Sequence, residues 1–203
     1  MARPIRPVLG LLAAMVLAPA PAAGEEGASA TTGQFLVAAE SMPDPRFQGT
    51  VIYMVQHDSA GAFGIVINRA IAEVSGGELA SELDLELDGP AVESQFALRW
   101  GGPVDPTLLF VLHSDDYGGQ DSLAVTKGVV LSAGRKVVGD LLVGRGPARS
   151  LVALGYSGWA PGQLESELRR DDWVVVPGDP ELVFSDDLAG LWRQAMDRLG
   201  IDL

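Results

Sequence analysis

The stretch 154-LGYSGWAPGQLESEL-168 places three glycines, a proline, a tyrosine and a tryptophan at the approach to a helix. Its residue order predicts a stiff corner. With Ala160 at the N-cap, Pro161 takes the first helical position, where a missing N–H costs nothing. Gln163 then falls at the third position, and its side chain reaches back to the cap N–H as half of a capping box. Trp159 precedes the cap and pairs with Leu164 as a hydrophobic staple. Glu165 and Glu167 sit near the positive end of the helix dipole. Leu164 and Leu168, four apart, share the inward face of a helix over 161–170. Gly155 and Gly158 permit positive φ or close backbone approach. The competing reading is a binding loop, because glycines before a helix expose N–H donors to an anion. It is not a Walker loop, since no Gly-Lys-Ser/Thr follows.

Working outward, residues 151–154 and 173–176 read as strands on either side of this corner. On the carboxyl-terminal side, Ser185 is an N-cap candidate. Leu188, Leu191, Trp192, Ala195, Met196 and Leu199 then follow helical spacing until Gly200. On the amino-terminal side, Ser132 is expected to cap a helix through about 143, with Val137, Val138, Leu141 and Leu142 on one face. Strands are expected at 34–39, 50–56, 62–68, 95–100 and 108–113, with one or two more within 123–131. The second and third of these form a hairpin across a five-residue turn, 57-HDSAG-61. Leu79, Leu83 and Leu87 suggest a short amphipathic helix after an ambiguous stretch at 70–78. Strands and helices intermix without strict alternation. The fold class is therefore α+β, with bent, mixed sheets and a few packed helices.

A chain of 203 residues that is 47% hydrophobic can bury the core of one ordinary domain. Its 25 glycines and 13 prolines favour short strands joined by turns over a long-helix bundle. The formal net charge of −13 opposes DNA and anionic membrane surfaces alike, so no nucleic-acid partner is expected. There is no cysteine, which excludes disulfides, thiolate catalysis and cysteine-based metal centres.

Residues 1–22 have the order of a secretory signal peptide: Arg3 and Arg6, an apolar run over 8–17, then Ala20-Pro21-Ala22. The expectation is cleavage after Ala22, export (in a bacterium, to the periplasm), and a soluble protein with no membrane anchor. A start at Met15 would instead leave a cytoplasmic protein. Residues 23–32 read as a flexible linker, and 33–203 as the folded domain.

The pieces 33-GQFLVAAESMPDPRF-47, 50-TVIYMVQHDSAGAFGIVINRA-70, 101-GGPV-104, 112-LH-113 and 155-GYSGWAPGQLESEL-168 resemble the AlgH/YqgE family of bacterial proteins. Trp173, Trp192 and Leu199-Gly200 extend the resemblance over 33–203. It implies an α+β fold with coiled sheets, and it carries no implication of a particular enzymatic activity. The family's name implies regulation of alginate synthesis. Two departures stand out. Where members often carry a cysteine before Glu-His, this chain has 55-VQH-57, and the family's Asn-Arg-Pro becomes Asn68-Arg69-Ala70. The leader is a further departure, since the family looks mainly cytosolic.

Candidate ligand-binding residues are His57, Asn68, Arg69, Gly101, Gly102, His113, Tyr156, Trp159 and Gln163. The two histidines are too few for a histidine-rich metal site. The acids in 114-SDDYGGQD-121 lack the spacing of a calcium loop, so no metal is expected, and no cofactor either. No nucleophile elbow or zinc-protease motif occurs. Three functions stand against one another. The first is a non-enzymatic binding or regulatory module for a protein or small-molecule ligand. The second is a hydrolase built on His57 or His113 with nearby acids. The third is a transcriptional regulator, disfavoured by charge.

Overall fold

The computed structural model describes residues 31–119 and 121–199. The leader, residues 23–30 of the expected linker, and Gly200 lie outside the described residues. Thr31 does not behave as linker. It is buried, and its Oγ1 lies 2.8 Å from His57 Nδ1.

Among the described residues, fifteen elements follow in order: β1 (Phe35–Ala38), β2 (Val51–Asp58), β3 (Gly61–Val66), β4 (Ala70–Ser75), α1 (Gly76–Glu82), β5 (Gln95–Trp100), β6 (Val104–His113), β7 (Ser122–Thr126), β8 (Val129–Ser132), α2 (Arg135–Leu142), β9 (Ser150–Trp159), α3 (Gln163–Arg169), β10 (Trp173–Val176), α4 (Pro180–Val183) and α5 (Leu191–Asp197). The sheet runs β10-β1-β2-β3-β9-β6-β8-β7, with β5 beside β9 and β4 beside β5. Among the described residues only β5 and β9 pair in parallel. This is an α+β architecture.

Both faces of the central strands β1, β2, β3, β8 and β9 and of the second half of β6 are buried, which is why they are near-continuous apolar runs, whereas the edge strands β4 and β7 are largely exposed. Alternate residues serve different cores. Phe35, Val37, Tyr53, Phe110, Leu112 and Ala153 face one cluster, closed by Leu182 and Val183 of α4 and by Leu191, Ala195 and Met196 of α5. On the other face, Leu109, Val111 and Val152 meet α1 and α2. Leu36, Ile52, Met54 and Val66 meet Trp159, Leu164 and Trp173. Among the described residues no helix is long and apolar enough to cross a membrane.

Strand β9 is the spine. It carries β6 along one edge, and along the other β5 at Val152–Leu154 and then β3 at Ser157–Trp159. The change of partner happens at Gly155, whose φ is 71°. A Cβ there would sit 2.6 Å from the Gly102 carbonyl oxygen, so the crossing of these two backbones requires glycine.

Several boundaries differ from expectation. The β2–β3 turn is two residues, because His57 and Asp58 stay paired with Ala62 and Gly61. Residues 70–75 form β4, and the helix after it starts with a full Ser75–Glu78 capping box. Residues 154–159 continue β9 rather than forming a loop. Ser132 ends β8 with its hydroxyl on His113, so α2 begins at Arg135 behind an N-cap, Gly134, without a side-chain bond. The terminal helix starts at Leu191, not after Ser185. Ser185 Oγ instead accepts from Asp187 N, and Asp187 ties the intervening loop to Gly190 N and to the Gln194 side chain.

Candidate functional site

The corner itself forms largely as its residues dictate. Gln163 Oε1 accepts from Ala160 N at 3.1 Å, the expected reach-back bond. The regular helix nevertheless starts later than Pro161. Gly162 is its N-cap with φ at 76°, a left-handed conformation that delays the helix to Gln163. Gly158 has no positive φ; Gly155 and Gly162 do. Trp159 and Leu164 share one buried cluster, as a staple should.

The corner does more than turn the chain. Glu167, one turn beyond Gln163, gathers three donors. Trp159 Nε1 and Trp173 Nε1 each donate to Oε2 at 2.8 Å, and Gln163 Nε2 donates to Oε1 at 2.9 Å. The two indoles meet edge to face at 6.1 Å, and Phe47 meets Trp173 at 5.5 Å. Between these rings, the 42–47 loop and α3 lies a cavity of about 200 Å³. Two ion pairs complete its wall: Arg46–Asp44 and Arg170–Asp172, each at 2.7 Å. The Arg46 guanidinium holds the Asp44 carboxyl below its ordinary value.

A more open groove of about 450 Å³ lies on the other side of Gly158 and Trp159. Tyr156, Phe63, Gln56 and Asp58 line it. Alternation along β9 therefore gives Tyr156 to the groove, while Trp159 borders both spaces.

Asn68 and Arg69 reach neither space. They brace the loop that walls the cavity. Asn68 Oδ1 accepts from Val51 N at 2.8 Å, and its Nδ2 donates to Gly49 O at 2.8 Å. Arg69 lies over the Trp100 ring at 5.2 Å and donates to the carbonyls of Arg46 and Gln48. Gly101 and Gly102 are the crossing partners of β9; Gly101 N donates to Leu154 O at 2.7 Å.

The histidines are interior and far apart along the fold. His57 Nε2 lies 3.2 Å from Glu165 Oε1 and Nδ1 lies 2.8 Å from Thr31 Oγ1. A carboxylate only accepts, so the neutral ring donates from Nε2 and accepts from Thr31. A backbone hydrogen bond at its own position, with a smaller share from His57, keeps the Glu165 carboxyl below its ordinary value. His113 lies opposite Ser150, at the other end of β9 from Trp159. Its Nδ1 donates to Ser114 O and its Nε2 accepts from Ser132 Oγ, both at 2.8 Å; Ser122 Oγ follows at 2.7 Å.

The structure thus brings together Trp159 and Gln163, with Tyr156 adjacent, and sets Asn68, Arg69, Gly101 and Gly102 behind them. His57 and His113 do not join the cavity. Sequence reading missed Glu167, Trp173, Phe47 and Arg46 as site residues. The i, i+4 spacing of Gln163 and Glu167 was a usable signal; nothing local signals Trp173.

Fold and cavity together describe a single α+β domain with a small aromatic pocket at a strand-to-helix junction. The AlgH-like family matches over residues 35–203, and the chain belongs to that family. A UPF0301 protein of Methylococcus capsulatus is 42% identical over 180 residues, covering 88% of this chain and 96% of that protein. One from Afipia carboxidovorans is 39% identical over 188 residues, covering 89% of each. The solution structure of the AlgH protein from Pseudomonas aeruginosa superposes with a TM-score of 0.74 at 33% identity, over 90% of this chain and 94% of that one. A crystal structure of a Corynebacterium diphtheriae protein, with a TM-score of 0.63 at 22% identity over 86% of this chain and 88% of that one, shares the fold.

Proposed function

We propose that this chain is a non-enzymatic binding module whose ligand enters the cavity between the 42–47 loop, the end of β9 and α3. The observation that carries this reading is the cavity's preformed wall. Rings from the 42–47 loop, β9 and β10 meet there, and hydrogen bonds within the wall fix the groups that would touch a ligand. Ligand sites are commonly concave and apolar, with a few placed polar groups.

The hydrolase reading has one observation in its favour. Ser132, His113 and the Ser114 carbonyl form the chain of hydrogen bonds that activates a serine. Burial weighs against it: His113 is 0% exposed and Ser132 is 3% exposed, so a substrate carbonyl has no approach to the hydroxyl. His57 has both ring nitrogens engaged inside the fold. Nucleic-acid binding is opposed by the net charge of −13.

The test is a fragment screen of mixed charge, read on the indole N–H signals of the ¹⁵N-labelled chain. Saturable shifts at Trp159 and Trp173, lost in Trp159→Ala, support the reading. Measurable turnover that disappears in His113→Gln with the fold intact overturns it. We also propose an extracytoplasmic location, on the residue order of 1–22. Intact-mass analysis of the native protein tests this: a chain retaining Met1, or starting at Met15 in the cytosol, refutes it.

A further inference from the structure

The geometry points to a monovalent organic cation, an alkylammonium or guanidinium head on a short chain, as the ligand of this cavity. Glu167 is its counter-ion, and Phe47, Trp159 and Trp173 are its aromatic surround. This rests on the binding reading above and names the ligand's chemistry.

The argument begins with the donors on Glu167. Two indole N–H groups and a carboxamide hold both carboxylate oxygens. All three donors are neutral. They orient the carboxylate but, being neutral, cancel none of its charge. The other acids on the cavity wall are already matched, Asp44 by Arg46 and Asp172 by Arg170. Among the described residues no ion pair includes Glu167. The uncompensated charge on the wall is therefore negative, in a place where a half-buried ion is normally paired.

The rings supply the second half of the site. Aromatic faces attract cations through their quadrupoles, more strongly as water is excluded. Phe47 and Trp159 each stand nearly perpendicular to Trp173, at interplanar angles of 71° and 79°. Such a corner offers faces and edges in several directions around one small space.

Size and long-range field agree. The cavity, about 200 Å³, is somewhat larger than one of roughly 150 Å³ that holds benzene. A four- or five-atom chain with a charged head fits. The overall charge of −13 raises the local concentration of cations. An anion would meet Glu167, and a neutral apolar ligand would desolvate that carboxylate without pairing it.

The experiment titrates n-butylammonium and n-butylguanidinium into the full chain, alongside 1-pentanol, a neutral alcohol one carbon longer than the butyl amine, and the anion butyrate. The readout is the indole Nε1–H resonances of Trp159 and Trp173, assigned with Trp→Phe variants. The cations are expected to bind at least about tenfold more tightly than pentanol, the factor expected for one desolvated charge pair. Glu167→Gln is expected to lose that preference while keeping its melting transition, because the amide oxygen still accepts from an indole. Equal affinity for cation and alcohol, or full retention in Glu167→Gln, overturns the charge assignment but leaves the binding reading intact. No shift from any probe overturns both. Should Glu167→Gln fail to fold, the cation-to-alcohol ratio on the wild-type chain decides alone. An acetylated, amidated Ala-Lys-Ala tripeptide separates the sources. Tighter binding than butylammonium assigns the cation to a protein side chain, and weaker binding assigns it to a free amine.

Discussion

Truncating Trp159 tests whether the corner is held by this side chain. Its residue is 7% exposed, so nearly the whole indole is removed from water on folding. A buried Trp hides on the order of 150–250 Å². Losing roughly 150 Å² of that at about 25 cal/mol per Å² costs about 4 kcal/mol, within the usual range of about 3–5 kcal/mol for Trp→Ala. The Nε1–H bond to Glu167 is a separate part of the effect. Trp159→Phe keeps most of the buried area and loses that bond, while Glu167 retains Trp173 and Gln163 as donors. It should cost about 1–2 kcal/mol. Urea unfolding followed by far-UV circular dichroism measures both without relying on tryptophan emission. Trp159→Ala unfolding within about 1 kcal/mol of wild type would refute the structural role. So would Phe proving as damaging as Ala, since burial would then not be the main term.

Other outcomes follow from the same structure. Gly155→Ala should cost at least about 2 kcal/mol, because it combines positive φ with a backbone clash. Gly158→Ala should cost less than about 1 kcal/mol, because only the edge of the Tyr156 ring, at 3.0 Å, must give way; chemical melts of the pair check the order. Arg99 is buried, donates to the carbonyls of Ile67 and Ser185, and is pushed down to about 10 by desolvation. Arg99→Lys should destabilise by about 1–2 kcal/mol, since one ammonium on a thinner stem cannot bridge both carbonyls as the fork does. Asp140 is held below its ordinary 3.8 by hydrogen bonds from Lys136 and then Tyr117. A depressed carboxyl contributes its full stability above the unfolded value and loses it as pH falls through the folded one. Melts between about pH 5 and pH 2 should therefore show a shallower acid loss in Asp140→Asn.

The central strands were legible because a strand buried on both faces writes itself as an unbroken apolar run, as in 108-LLFVLH-113. Serines misled the helix starts. Ser132 and Ser185 have the chemistry of an N-cap, but one belongs to a strand end bonded to His113 and the other to a loop bonded to Asp187. Leu188 fits helical spacing, yet Asp187 gives the 185–190 loop its own hydrogen bonds and the helix waits for Leu191. The site was half legible. Trp159 and Gln163 declared themselves through local spacing. In sequence Glu167 shows only its place near the helix dipole, because its other role depends on Trp173, brought in by the pairing of β10 with β1. Tertiary pairing of that kind leaves no trace in a local window.

Stability and binding share residues at this corner, so they can be told apart only at a position that carries little of the fold. Gln163 is such a position. Its side chain is exposed and makes two hydrogen bonds, one to Ala160 N and one to Glu167 Oε1. Removing both in Gln163→Ala should cost about 1 kcal/mol, because water replaces exposed partners cheaply. The Glu167 carboxylate would keep its indole donors on Oε2 and lose its restraint on Oε1. A cation would then have to order that oxygen on arrival, so affinity should fall while the melting transition barely moves. If the melt shifts as far as that of Trp159→Ala, Gln163 is part of the structural staple instead. If affinity is unchanged, the free oxygen is not where the ligand's charge sits, and Glu167 acts through Oε2 alone.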